Sequence, residues 1–253
     1  MAQETSAGGD EVITAAVLVI GDEILSGRTK DRNIGTIAEH LTAIGIVLRE
    51  VRVVGDVTAD IVAAVNELRA RYTYVFTTGG IGPTHDDITA DSIGAAFGVT
   101  VDVDARAVAL MEPAYAARGI ALTPARLRMA RIPAGAALIV NSVSAAPGFQ
   151  IGNVFVMAGV PDIMKAMLEA ATDRLRTGPK VNAVAILVHR AEGEIADLFA
   201  AHQRAHPDIA MGSYPSFTDG IYRTELVLRG VDKGRLEQAR AELVGLLTDG
   251  GFL

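Results

Sequence analysis

The chain has no cysteine and no tryptophan, and aromatic residues make up only 5% of its 253 positions. Without cysteine there is no disulfide framework, no thiolate metal site and no cysteine nucleophile. A reducing compartment fits that lack, and the cytoplasm is the expected location. Few aromatics leave alanine, valine, isoleucine and leucine to fill the core that a 50% hydrophobic chain can build. Such a composition suits helices packed on a Val/Ile-rich sheet. No apolar run approaches the roughly 18 residues needed to span a bilayer, so a soluble protein without a membrane partner is expected. The formal charge of −7 offers no basic face, and nucleic acid is not an expected partner. Residues 1–11 hold Gly8-Gly9 and acidic residues, with no basic start and no apolar centre. They read as a flexible tail, not as a signal peptide.

What is present is a regular alternation of short apolar runs and amphipathic segments. Thr14–Ile20 reads as a buried strand and is followed by a loop over residues 21–32. Asn33 is placed to cap a helix carrying Ile34, Ile37, Leu41 and Ile44, with Gly45 as its stop. A strand over Ile46–Val54, a helix over Thr58–Arg71 and a strand over Tyr74–Thr78 follow. Strands alternating with helices of this length imply right-handed crossovers and a mainly parallel sheet. Further on, strands are expected over Val99–Val101, Ala137–Val140 and Val154–Met157, and helices over Ala105–Arg118 and Asp162–Leu175. Gly178-Pro179 marks a break, giving a first domain over residues 12–177 and a second over 178–253. Beyond the break the order is β-α-β-β-α, a small α+β unit.

The most specific stretch is Gly79-Gly80-Ile81-Gly82-Pro83-Thr84-His85-Asp86-Asp87-Ile88-Thr89, set between a strand and a helix. Glycines allow the backbone to approach a ligand closely, and free N–H groups at a helix start attract anions. Two adjacent aspartates would repel a bare phosphate, so a metal ion between them is the expected completion. In open α/β sheets ligands sit beyond the carboxyl ends of the strands. Asp22, Glu23, Asp56, Asp86 and Asp87 all fall at such ends, and each alone is equally well a turn or cap residue. Together they point to divalent metal, with Glu23, Asp56, Asp86 and Asp87 as the candidate ligands. Asn141-Ser142-Val143-Ser144-Ala145-Ala146-Pro147-Gly148-Phe149 and Met157-Ala158-Gly159-Val160-Pro161 are two further small-residue turns open to a ligand. There is no Walker loop, no G-x-G-x-x-G after the first strand and no G-x-S-x-G elbow. Ordinary kinase, dehydrogenase and serine hydrolase readings lose their support.

These blocks resemble the MoaB/Mog molybdopterin-binding family, and within it the amino-terminal domain of the competence/damage-inducible CinA proteins. Residues 19–27, Gly79 to Thr89, Pro147-Gly148-Phe149 and Gly159-Val160-Pro161 match that family's blocks in order, over roughly residues 13–175. Ile81 and Pro83 resemble the CinA type, whereas Mog-type enzymes usually carry threonine at the position of Ile81. The segment with Gly212-Ser213-Tyr214-Pro215 is similar to the one that follows this domain in CinA and in eukaryotic FAD synthase. The resemblance implies a three-layer α/β/α sandwich and, from family members, a homo-oligomer (dimer or trimer).

It also implies a small-molecule partner, either a nucleotide diphosphate or a pterin. In the CinA and FAD-synthase branch the activity is metal-dependent cleavage of a nucleotide pyrophosphate of the ADP-ribose or FAD type. Asp56 and Asp87 would then be catalytic, with Mg, Mn or Co as the metal. Gly79, Gly80, Gly82, Thr84, Asn141, Ser142, Pro147, Gly148 and Gly159 would contact the ligand. The alternatives are molybdenum cofactor biosynthesis, with molybdopterin as the bound cofactor, and a non-catalytic binding module.

Overall fold

A computed structural model describes residues 12–253; the expected tail over residues 1–11 lies outside them. The chain divides between Gly178 and Pro179 into two units, each with its own core. In chain order the first unit contains β1 (Thr14–Ile20), α1 (Asp22–Leu25), α2 (Asn33–Ala43), β2 (Val47–Val54), α3 (Thr58–Arg71), β3 (Tyr74–Thr78) and α4 (Thr89–Phe97). Then come β4 (Val101–Val103), α5 (Ala105–Ala117), α6 (Pro124–Leu127), β5 (Arg131–Pro133), β6 (Ala137–Ile139), β7 (Gly148–Ile151), β8 (Val154–Met157) and α7 (Pro161–Ala171).

Six strands form one sheet in the order β2-β1-β3-β8-β7-β6. The first four are mutually parallel, and β7 alone is reversed, pairing antiparallel with β8 on one side and β6 on the other. Successive side chains of a strand point to opposite faces, and β1 uses that alternation fully. Ala16, Leu18 and Ile20 pack with Ile61, Val65 and Leu68 of α3, Ile93 of α4 and Met111 of α5. Ala15, Val17 and Val19 pack on the other face with Ile37 and Leu41 of α2 and Met164, Met167 and Leu168 of α7. A strand buried on both faces has no room for polar side chains, which is why β1 reads as an unbroken apolar run. Phe76 and Phe155 stack at 5.2 Å between centroids, and Tyr74 meets Phe155 edge-on at 5.8 Å. Fully burying a side chain of this class contributes about 1.5–3 kcal/mol, and these three aromatics sit where the parallel strands β3 and β8 meet. Helices on both faces of a mainly parallel sheet make the expected three-layer sandwich.

Four local expectations are corrected. Residues 21–32 are not all loop: Asp22–Leu25 form one helical turn. Asn33 is not the cap of α2; the Asp31 carboxylate accepts the Ile34 N–H at 2.8 Å and leaves Asn33 facing inward. Strand β4 starts two residues later than read and pairs antiparallel with β5, which the proline in Arg131–Pro133 conceals. Pro147-Gly148-Phe149 is no open turn, because Gly148 and Phe149 are the buried start of β7.

The second unit contains β9 (Asn182–Val188), α8 (Glu192–Ala205), β10 (Ala210–Thr218), β11 (Ile221–Gly230) and α9 (Lys233–Asp249). Its antiparallel sheet has the order β10-β11-β9 and buries Ile186, Val188, Leu226 and Leu228 against Ile195, Leu236, Leu243 and Leu247. Gly212-Ser213-Tyr214-Pro215 lies within β10, opposite Val227 to Thr224.

Candidate phosphate-binding cleft

The glycine loop leaves β3 in a conformation that only glycine adopts readily. Gly79 and Gly80 have φ of 102° and 67°, a region that excludes most side chains. A Cβ at Gly79 would strike the Ile20 carbonyl, and one at Gly80 would strike Thr89 Oγ1. Thr89, fully buried at the start of α4, holds this shape in two ways. Its hydroxyl donates to the Gly79 carbonyl at 3.0 Å, and its N–H donates to the Gly80 carbonyl at 3.0 Å. The Gly79 N–H is taken by the Met157 carbonyl at 3.2 Å, and the Thr84 N–H by Asp87 Oδ2 at 2.8 Å. Between them, the N–H groups of Gly80, Ile81 and Gly82 have no acceptor among the described residues. Consecutive free N–H groups in a glycine turn form an anion-binding concavity.

These residues open onto a cavity of about 550 Å³. Glu23, Thr29, Asp87 and Ser144 bring polar side chains to it, while Ile81, Met129, Pro147, Ile163 and Met167 make its apolar wall. An adjoining cavity of about 250 Å³ is lined by Lys30, Asp31, Arg32, Asn33 and Thr78 and shares Glu23, Thr29, Gly79, Gly159 and Pro161 with the first. A Cβ added at Gly159, after β8, would lie 3.3 Å from Gly79 Cα. Asn33 Nδ2 donates to the Gly159 carbonyl at 2.8 Å, so three chain segments are tied together at the divide.

The five strand-end carboxylates do not share one place. Asp22 and Asp56 bind each other's loops: the Asp22 N–H donates to Asp56 Oδ2 at 2.9 Å, and the Asp56 N–H to Asp22 Oδ1 at 3.3 Å. This reciprocal latch joins the end of β1 to the end of β2. Asp87 turns back over its own loop, where Oδ2 accepts the Thr84 N–H and the Thr84 hydroxyl, the latter at 2.5 Å. Asp86 points outward beside the exposed His85. The Thr84 hydroxyl holds the Asp86 carboxyl below its ordinary range, with smaller contributions from its own backbone amide, His85 and Arg128. Among the described residues no group of three His, Asp or Glu side chains is placed to hold a metal ion. Of the expected metal ligands, Glu23 and Asp87 line the same cavity.

Of the other residues expected at the ligand, Gly79, Gly80, Gly82, Pro147 and Gly159 line the cavity. Thr84 serves the Asp87 turn instead. Asn141 closes its own loop, donating to the Ala146 carbonyl at 2.8 Å and accepting the Ser144 N–H at 2.6 Å. Ser142 is exposed on that loop, and Gly148 is packed against the Val156 carbonyl and Met167. Sequence reading missed Asn33 and Thr89 as members of the site, and also Arg128, which donates to the Thr84 and Asp87 carbonyls. Only the Thr at the end of the glycine–aspartate stretch carried any local signal.

The family described as a probable molybdopterin binding domain matches residues 16–177, and the FAD synthase middle domain matches residues 180–253. The chain is 31% identical over 245 residues to a protein of Aeropyrum pernix, covering 92% of this chain and 90% of that one. It is 40% identical over 159 residues to a CinA-like protein of Desulfosudis oleivorans, a stretch that is 61% of this chain and 38% of the relative. The solved structure of the protein CinA from Thermoplasma acidophilum, of unknown function, has 36% identity and a TM-score of 0.59, covering 64% of this chain and 98% of that one. No helix of the described residues is long and apolar enough to cross a membrane.

Proposed function

The chain belongs to the family of molybdopterin-binding domains, in its CinA-like form, and from that premise we propose that its cleft grips a nucleotide diphosphate and hydrolyses the pyrophosphate link. The observation that carries this reading is the run of unpaired N–H groups at Gly80, Ile81 and Gly82 beside the Asp87 carboxylate. The amides would bind the oxygens of one phosphate, and they need no reorganisation because Thr89 already holds the loop. Asp87 Oδ2 is engaged by Thr84, which leaves Oδ1 to orient a water and take its proton. Attack on phosphorus forms one P–O bond and breaks the bridging P–O bond, releasing two phosphomonoesters. The apolar wall of Ile81, Met129 and Met167 would hold the ring of the nucleotide. A divalent ion carried by the diphosphate would supply charge neutralisation.

The test is turnover of ADP-ribose and FAD with Mg²⁺, Mn²⁺ or Co²⁺, with products identified by mass spectrometry. Asp87→Asn should lower kcat at least about a hundredfold while leaving binding measurable. Full turnover by that variant excludes the assigned role. The second reading is binding of a pterin phosphate in cofactor biosynthesis, favoured by the family's own description. The same amides would then hold the pterin's phosphate. Tight calorimetric binding of molybdopterin, with no turnover of any nucleotide diphosphate, would select it.

A further inference from the structure

The glycine–aspartate loop combines opposites: free N–H groups that favour an anion and two aspartates that repel one. The cationic side chain that meets this loop comes from far along the sequence. Arg128, in the turn after α6, donates from Nε to the Thr84 carbonyl at 3.0 Å and from Nη2 to the Asp87 carbonyl at 3.3 Å. Those two carbonyls bound the short turn that carries both aspartates. Nη1 of Arg128 makes no hydrogen bond or ion pair among the described residues. Arg131 lies in the same narrow cleft behind Gly80 and Gly82 but is committed elsewhere, gripping Asp91 with both Nη atoms at 2.8 and 2.7 Å. Arg128 is thus the cation there that makes no salt bridge among the described residues, its charge acting on Asp86 only from a distance.

We infer that Arg128 is the positioning residue of this site: its planar fork fixes the turn that aims Asp87, and its charge makes the loop receptive to an anion. The inference rests on the reading of the cleft as a phosphate site. A guanidinium can hold two carbonyls at once, whereas an ammonium supplies the same charge without the fork. Charge and clamp can therefore be separated by substitution.

The experiment compares the wild-type chain with Arg128→Lys and Arg128→Gln, using calorimetric binding of ADP-ribose, Mg²⁺-dependent turnover and the melting temperature. Arg128→Gln should weaken ADP-ribose binding about tenfold or more, through loss of the charge. Arg128→Lys should recover that affinity to within about threefold yet keep a kcat about tenfold below wild type, because Asp87 is no longer held. That split between binding and kcat is one a merely structural residue would not produce. The inference is overturned if both variants bind and turn over like wild type, or if Lys and Gln lose binding, kcat and melting temperature in parallel. A wild-type chain that binds no ADP-ribose overturns the reading of the cleft itself, and this role with it.

Discussion

Replacing Thr89 with valine removes a single hydroxyl from beneath the glycine loop and nearly nothing else. Valine matches threonine in shape, and the backbone N–H of residue 89 still reaches the Gly80 carbonyl at 3.0 Å. What disappears is the 3.0 Å bond from Oγ1 to the Gly79 carbonyl, at a position that is fully buried. A buried acceptor left without its donor costs about 1–3 kcal/mol. For a unit of this size each kcal/mol lowers the melting temperature by about 2–4 °C, so a fall of about 2–12 °C is expected by scanning calorimetry. The loop should also lose its hold on Gly79 and Gly80, weakening ADP-ribose binding about tenfold. Thr89→Ser keeps the hydroxyl and forfeits a methyl group, at a cost of about 1 kcal/mol, and should bind ADP-ribose as wild type does. If the valine variant melts within about 1 °C of wild type and binds equally well, the buried bond does not hold the cradle and the reasoning is refuted.

Three further outcomes follow from the same geometry. Asp56→Asn keeps an oxygen to accept the Asp22 N–H and should leave kcat within about threefold, whereas Asp56→Ala opens the latch and raises KM; a catalytic Asp56 would lose kcat in both. Gly148→Ala puts a methyl group against the Val156 carbonyl and Met167 and should lower the melting temperature, with the folded fraction binding ligand normally; weakened binding at unchanged stability would instead place Gly148 at the ligand. Burial lowers the pKa of His202, whose ring lies 4.3 Å from that of His206 and faces Ala239, Glu242 and Arg235 of α9. The neutral ring is then the native form, so its contribution is complete above the ordinary value of about 6.5 and is lost as pH falls below it. The protection of α8 and α9 amides, measured against their intrinsic exchange rates, should fall as pH drops below about 6.5, and His202→Gln should flatten that dependence; an unchanged dependence in the variant would refute it.

Much of this architecture was legible because it is local. The runs Thr14–Ile20 and Tyr74–Thr78 are mostly apolar and almost wholly buried since both sheet faces are covered, and α3 carries its inward residues at helical spacing. Strand β7 was hidden because Pro147-Gly148 has the composition of a turn, although its register against β8 is set by tertiary contact. The glycine–aspartate loop suggested an anion site through residue types alone. Its supports did not, because Arg128 reaches it across 44 and 41 residues and Asn33 meets Gly159 across 126. Strand-end aspartates suggested a shared metal, but periodicity cannot tell whether a carboxylate turns toward a ligand or toward a neighbour's N–H. Asp22 and Asp56 chose the latter.

The claim on which the rest depends is that the amides of Gly80, Ile81 and Gly82 receive the phosphate. Titrating the ¹⁵N-labelled chain with inorganic pyrophosphate and with ADP-ribose, while following the assigned amide signals, tests it most directly. The account predicts saturable downfield proton shifts at those three residues, with Gly119 and Gly135, remote in the sequence from the loop, unmoved. Saturable binding that leaves the three amides unshifted would contradict it.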